Sequence, residues 1–177
     1  MKKFITTLFI LCGLAASAQA AVIVGVEAGY LVDSEEEYIT GRLGFEVAQA
    51  NSFSHQLELE IGYTDTEDAL LKGEIVPVMA NYRFVAPVSA NGWSYHLGAG
   101  LGLAWSSIDG VSVNGPVRLR DESFAVQGFA GVSYHVNPSV AITAGARYLW
   151  IDDVTFAGQT FDVGDDVALS LGVTFKF

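Results

Sequence analysis

The chain has 177 residues, 51% of them hydrophobic and only 16% charged, with a formal net charge of −11. That acidic balance argues against a nucleic-acid surface, which needs clustered lysine and arginine. A mean hydropathy of +0.37 is too apolar for an ordinary soluble domain, yet no run after the N-terminal segment reaches the roughly 18 apolar residues of a membrane-crossing helix.

Residues 1–20 read as a cleaved signal peptide: Lys2 and Lys3 precede an apolar stretch over 4–14, and Ala18-Gln19-Ala20 forms a small-residue cleavage site. The single cysteine, Cys12, lies in this segment and follows Leu11 rather than a small residue, so lipidation is not expected. The exported domain, residues 21–177, then carries no disulfide, and without Lys2 and Lys3 seven basic residues face twenty acidic ones, a net charge of −13. An apolar exported chain without spanning helices has one way to satisfy its backbone in lipid, a closed barrel of strands.

The strands follow in order as period-two alternations. The first, 22–31, places Val22, Val24, Val26, Ala28 and Tyr30 on one face and Glu27 on the other. After an acidic loop at 33–37, the second presents Ile39, Leu43, Phe45 and Val47 against Arg42 and Glu46. The third alternates Leu57, Leu59, Ile61 and Tyr63 with Glu58, Glu60 and Gly62, and an acidic loop at 65–73 follows. In the fourth, Val76, Val78, Ala80, Tyr82 and Phe84 oppose Asn81 and Arg83, and Pro77 predicts a bulge because it has no N–H for the ladder. The fifth runs from Trp93 to Trp105 with Gly98, Gly100, Gly102 and Ala104 on its second face, and a polar loop is expected at 106–122. The sixth offers Phe124, Val126, Ala130, Val132 and Tyr134 against Gln127; the seventh offers Val140, Ile142, Ala144, Ala146, Tyr148 and Trp150 against Thr143 and Arg147. A last long loop at 152–165 leads to 167–177, where every second residue from Val167 to Phe177 is apolar. Eight strands joined by alternately long and short connections predict an all-β, eight-stranded antiparallel up-and-down transmembrane barrel.

Alternation alone does not say which face meets lipid. The glycine-rich face of the fifth strand would bare its backbone to water if it pointed out, whereas a narrow bore needs small residues. Aromatics collect at both ends of the apolar face: Tyr30, Tyr63, Trp105, Phe124 and Trp150 at the loop end, Phe45, Phe84, Trp93, Tyr134 and Phe177 at the turn end. Two girdles around an aliphatic middle match two membrane interfaces. The polar face then points inward, where Glu27, Glu46, Glu58 and Glu60 share the bore with Arg42, Arg83, Arg147 and Lys176 and are expected to pair as an interior charge network. A filled bore implies a structural or cell-surface interaction role. The alternative is a narrow ion or small-solute channel, for which the interior glycines would leave water-sized gaps.

The signal peptide, the stretch LELEIGYTDT at 57–66 and the closing VALSLGVTFKF with its terminal Phe177 resemble small eight-stranded outer-membrane barrels of the OmpA/OmpX and opacity type, often labelled the porin family. The resemblance implies a Gram-negative outer-membrane location and a closing strand read by the barrel-assembly machinery, with Leu171, Val173, Phe175 and Phe177 carrying that signal. It also implies lipid and lipopolysaccharide as surroundings and a monomer. Some barrels of this size modify lipid A, which makes an acyl hydrolase or transferase the second alternative. His55, His96 and His135 all fall at turn ends, away from an outer-leaflet substrate, and His135 and Ser139 lack the spacing of a serine–histidine pair on one strand, so no catalytic residue is expected. No cofactor or metal site is expected either, although the acidic loops suit loosely bound Ca²⁺ or Mg²⁺ bridging to lipopolysaccharide phosphates.

Overall fold

The computed structural model describes residues 21–50, 52–68, 71–112, 115–156, 159–161 and 165–177. The proposed signal peptide lies outside the described residues. The strands are β1 (Val22–Leu31), β2 (Glu36–Ala50), β3 (Phe53–Asp68), β4 (Leu71–Val85), β5 (Trp93–Ser112), β6 (Gly115–Asn137), β7 (Val140–Ile151), β8 (Val154–Phe156), β9 (Gln159–Phe161) and β10 (Asp165–Lys176). Eight of them close in the order β1-β10-β7-β6-β5-β4-β3-β2, each antiparallel to its neighbours, while β8 and β9 pair separately as a small hairpin. The fold is therefore the expected eight-stranded up-and-down barrel. The closing pair is β1 with β10, in register from Ile23 opposite Lys176 to Leu31 opposite Ala168.

Three local expectations change. Residues 65–73 and 106–122 are not open loops: β3 and β4 stay paired out to Asp68 opposite Leu71, and β5 and β6 out to Ser112 opposite Gly115. A ladder of backbone hydrogen bonds needs no greasy face, so once the strands leave the apolar belt the alternation fades while the pairing continues. The contrast between the two ends is thus between protruding hairpins and turns, and one turn, residues 86–92, is itself long.

Pro77 makes no bulge. Ile61 pairs with Val78 and Thr64 with Ile75 in one continuous register, and the ladder skips the pairs between them where proline offers no donor. The irregularities fall instead at the turn end, between Glu46 and Ala48 and between His135 and Asn137. The extra residues there, Val47 and Val136, both lie exposed on the outside.

The burial pattern is inverted relative to a water-soluble barrel. Val26 (55%), Leu101 (60%) and Leu171 (62%) are exposed on the outer wall, whereas Glu58 (2%), Glu60 (1%) and Arg147 (4%) are buried inside. Such a surface is stable only against hydrocarbon, because each exposed aliphatic side chain would otherwise cost about 1.5–3 kcal/mol in water.

Candidate functional site

The barrel interior is stacked in three layers. Nearest the hairpins is a small apolar core of Leu31, Tyr38, Met79, Ala104, Ala125, Leu149, Ile151 and Ala168, with Ile75 packed against it. Charged groups fill the middle. Nearest the turns are hydroxyls, amides and imidazoles, among them Ser94, Gln56, Ser133, Thr174 and His96.

The middle layer is a chain of three carboxylates and three guanidinium groups. Arg83 Nε donates to Glu58 Oε2 at 3.0 Å, and the other oxygen of Glu58 lies 3.6 Å from Arg42 Nε. Arg42 Nη1 contacts Glu27, which also lies 3.8 Å from Arg147 Nη2. Arg147 grips Glu60 with both terminal nitrogens, Nη2 to Oε2 at 3.0 Å. Neutral partners add to the shell, which leaves only the long contact between Arg42 Nε and Glu58 Oε1 without a hydrogen bond among the network's buried described atoms. Gln127 accepts from Arg147 Nη1 at 2.7 Å and donates to Glu60 at 3.1 Å, while Ser170 donates to Glu27 at 3.1 Å. Equal numbers of opposite charges, each hydrogen-bonded, are what makes so much charge tolerable away from bulk water.

Strand β5 contributes none of these charges and supplies space. A Cβ on Gly98 would strike the Phe129 ring and the Tyr82 carbonyl; on Gly100 it would strike the Asn81 amide; on Gly102 it would fall 2.9 Å from the Met79 sulfur. The glycine wall is where Phe129, Asn81 and Met79 lie. Phe129 in turn carries the guanidinium of Arg83, 4.6 Å above its ring centre.

Glu46 and Lys176 stand apart from the network. They pair with each other at 2.9 Å at the turn-end rim, where Ser54 also donates to Glu46 at 2.7 Å. They face the same interior a full layer nearer the mouth than Glu58, as a separate rim pair rather than as links in the buried chain. Tyr38, Phe129 and Met79 were not singled out in the sequence. Each sits in the phase of a polar or charged neighbour, Tyr38 with Arg42, Phe129 with Gln127 and Met79 with Arg83, and strand parity alone would have found them.

The three histidines all sit at the turn end but on different faces. His55 lies outside, its Nδ1 2.5 Å from the Tyr82 hydroxyl. His135 Nε2 is 2.9 Å from Ser94 Oγ, not from Ser139, and the charge acting on it is that of Lys176 rather than a carboxylate. His96 points inward and lines a cavity of about 230 Å³ together with Arg83, Ser94 and Ser133. Among the described residues no three His, Cys, Asp or Glu side chains form a metal-ligand group.

At the hairpin end a second cavity, about 290 Å³, has an apolar floor of Leu31, Ile75, Leu149 and Ile151 and a rim of Asp33, Glu36, Asp165 and Asp166. Asp166, standing above the apolar belt, clamps the β1–β2 turn: it accepts from the N–H groups of Asp33 at 3.0 Å and Ser34 at 2.9 Å, and from the Ser34 hydroxyl at 2.7 Å. Partial burial works to raise its pKa, and these donors together outweigh burial and hold the carboxyl below its usual range. The same turn holds Glu35 at φ 60°, a left-handed conformation that a β-carbon disfavours and the clamp helps to retain.

A model of the outer membrane protein beta-barrel domain matches residues 4–177. The chain belongs to that family. No curated protein sequence matches it. Among solved structures it is similar to a major outer membrane protein from Thermus thermophilus, with TM-score 0.71, 9% identity, and 90% of this chain and 100% of that one covered. Neisserial surface protein A gives TM-score 0.64 at 20% identity, over 90% of this chain and 98% of that one. The outer membrane enzyme PagL gives TM-score 0.51 at 12% identity, over 86% and 98%. At these identities the likenesses speak for the fold. Because both a surface protein and an enzyme share that fold, function has to be argued from the residues.

Proposed function

We propose that this outer-membrane barrel has a structural or surface-interaction role, exercised through its hairpin end and outer wall rather than through its bore. The observation that carries this reading is the pair of stacked interior layers: an apolar core above a balanced charge network, with one cavity toward each end of the bore. An ion entering from either mouth would have to displace Arg147 from Glu60 or pass Tyr38, Leu149 and Met79. In planar bilayers the reading requires no steady unitary conductance; a stable single-channel current would overturn it and favour the narrow channel.

In the same reading the hairpins face outward and the turns face the periplasm. The acidic rim then stands beside outer-leaflet lipopolysaccharide, to which loosely held divalent cations can join its carboxylates. Protease protection of the hairpins that did not change on chelation would count against that bridge. The protein is a monomer and not an enzyme. This is supported by the only serine–histidine contact among the described residues, Ser94 with His135, which lies beside a cation instead of the carboxylate that a hydrolytic triad needs. Mass spectrometry of lipid A from a deletion strain tests this, and loss of an acyl modification would refute it.

Assembly through the closing strand belongs to the same proposal, with Leu171, Val173, Phe175 and Phe177 read by the assembly machinery. Phe177 also has a backbone task, exchanging hydrogen bonds with Val22 at 2.9 and 3.1 Å to finish the seam. Removing the residue therefore loses both roles, whereas Phe177→Ala keeps the backbone pair and loses only the ring, which is 78% exposed. Normal surface levels of Phe177→Ala would remove the ring from the signal.

A further inference from the structure

We propose that the turn-end cavity is a binding site for a small oxyanion, a molecule presenting a carboxylate or phosphate group. The central observation is Arg83. It is 4% exposed and lines the cavity. Its Nε is engaged by Glu58, and both terminal amino groups lack a protein acceptor among the described residues. Arg42 and Arg147 have no such freedom. Arg42 uses its terminal nitrogens on Glu27 and, at 2.5 Å, on Thr174, and Arg147 uses its own on Glu60, Gln127 and Glu27. The Arg83 donors open on the cavity rather than into packed protein, and a guanidinium fork is shaped for two oxygens of one carboxylate or phosphate.

The surroundings fit that guest. His96 is 8% exposed, lines the same cavity and makes no hydrogen bond or ion pair with a described residue, and its ring edge occupies the space that a side chain on Gly131 would take. Ser94 and Ser133 add hydroxyls to the wall. The charged groups facing the cavity are Arg42, Arg83 and Lys176 against Glu46 and Glu58, one more cation than carboxylate. A cation would meet the open side of Arg83 and is disfavoured. The volume of about 230 Å³ is the share of roughly eight waters, room for a small ion with part of its hydration. The mouth is ringed by exposed residues of the turns, Ser52, Val88 and Pro138, and is open to solvent. None of this depends on whether the bore conducts.

The test is a titration of the purified full barrel in detergent micelles, with labelled histidine followed by NMR and inorganic phosphate added at constant ionic strength against chloride. The His96 signals should shift and saturate, and the shift should be largely absent with chloride. Arg83→Lys keeps the charge beside Glu58 but not the fork, and should weaken phosphate about tenfold while the protein still shows the gel mobility of a folded barrel. Should that variant fail to fold, His96→Gln, read through phosphorus relaxation of the phosphate itself, should weaken binding severalfold. Acetate titrated in the same way reports whether carboxylate or phosphate is preferred. A linear, non-saturating response to both anions means a merely hydrated cavity and overturns the proposal. So does a shift confined to His135 beside Lys176, or unchanged binding in the variants.

Discussion

The two ends of the bore are built on opposite principles. At the hairpin end the inward residues are largely apolar, with a few hydroxyls such as Thr64 among them, and the acids stand above, so the cavity there has an apolar floor and a negative rim. At the turn end polar and charged groups share the interior with Ile23 and Ala141, and Arg42, Arg83 and Lys176 line a wetter cavity. The charge network lies between and belongs to both: its carboxylate Glu60 is covered by the apolar side, and its open guanidinium, Arg83, faces the polar side. A barrel of one diameter can thus seal at one end and stay receptive at the other simply by changing which residue types occupy the inward phase.

The largest effect expected from breaking this arrangement is at its centre. Arg147→Ala leaves Glu60 buried without its cation and should cost about 3–5 kcal/mol in urea unfolding from micelles or lipid. If the network is also the barrier between the two ends, the same variant should be the first to show ion flow in planar bilayers. A smaller loss is expected in the dry layer, where Leu149→Ala opens a void against Tyr38 and Ile151 and should cost about 2–4 kcal/mol without creating conductance, because the charges remain in place. Conductance in Leu149→Ala with none in Arg147→Ala would reverse the assignment of the seal.

The rims should respond more weakly and differently from each other. Asp166 is held ionised by Asp33 and Ser34, so its folded pKa lies below its unfolded one. Its contribution is complete above the unfolded value, roughly 3.9, and disappears as pH falls through the folded value. Unfolding midpoints measured downward from pH 5 should fall more steeply in the parent than in Asp166→Asn. At the opposite rim Lys176→Ala removes a half-exposed ion pair and should change stability by no more than about 1 kcal/mol. A loss as large as that of Arg147→Ala would mean that Lys176 belongs to the buried network after all.

Much of this architecture could be read in the residues. Period-two alternation located all eight barrel strands, because one side of the wall must be apolar along its whole crossing. The paired aromatics at each strand end marked the interfaces, and Gly98, Gly100 and Gly102 marked a face turned inward. Where the apolar requirement lapses, the reading lapsed too: the paired arms at 65–73 and 106–122 looked like loops, and Pro77 looked like a bulge.

The strands, their faces and the sign of the buried groups are written locally, since each follows from a two-residue repeat. Who meets whom across the bore is settled by closure of the barrel. Glu27, Glu60 and Arg147 come from β1, β3 and β7, with the partners Arg147 and Glu60 87 residues apart and Arg147 and Glu27 further still, and their meeting depends on barrel closure and strand stagger rather than on any local pattern. The same closure lays Phe129 in the hollow left by the β5 glycines, carries Arg83 on that ring, and leaves its two terminal amino groups facing an open space.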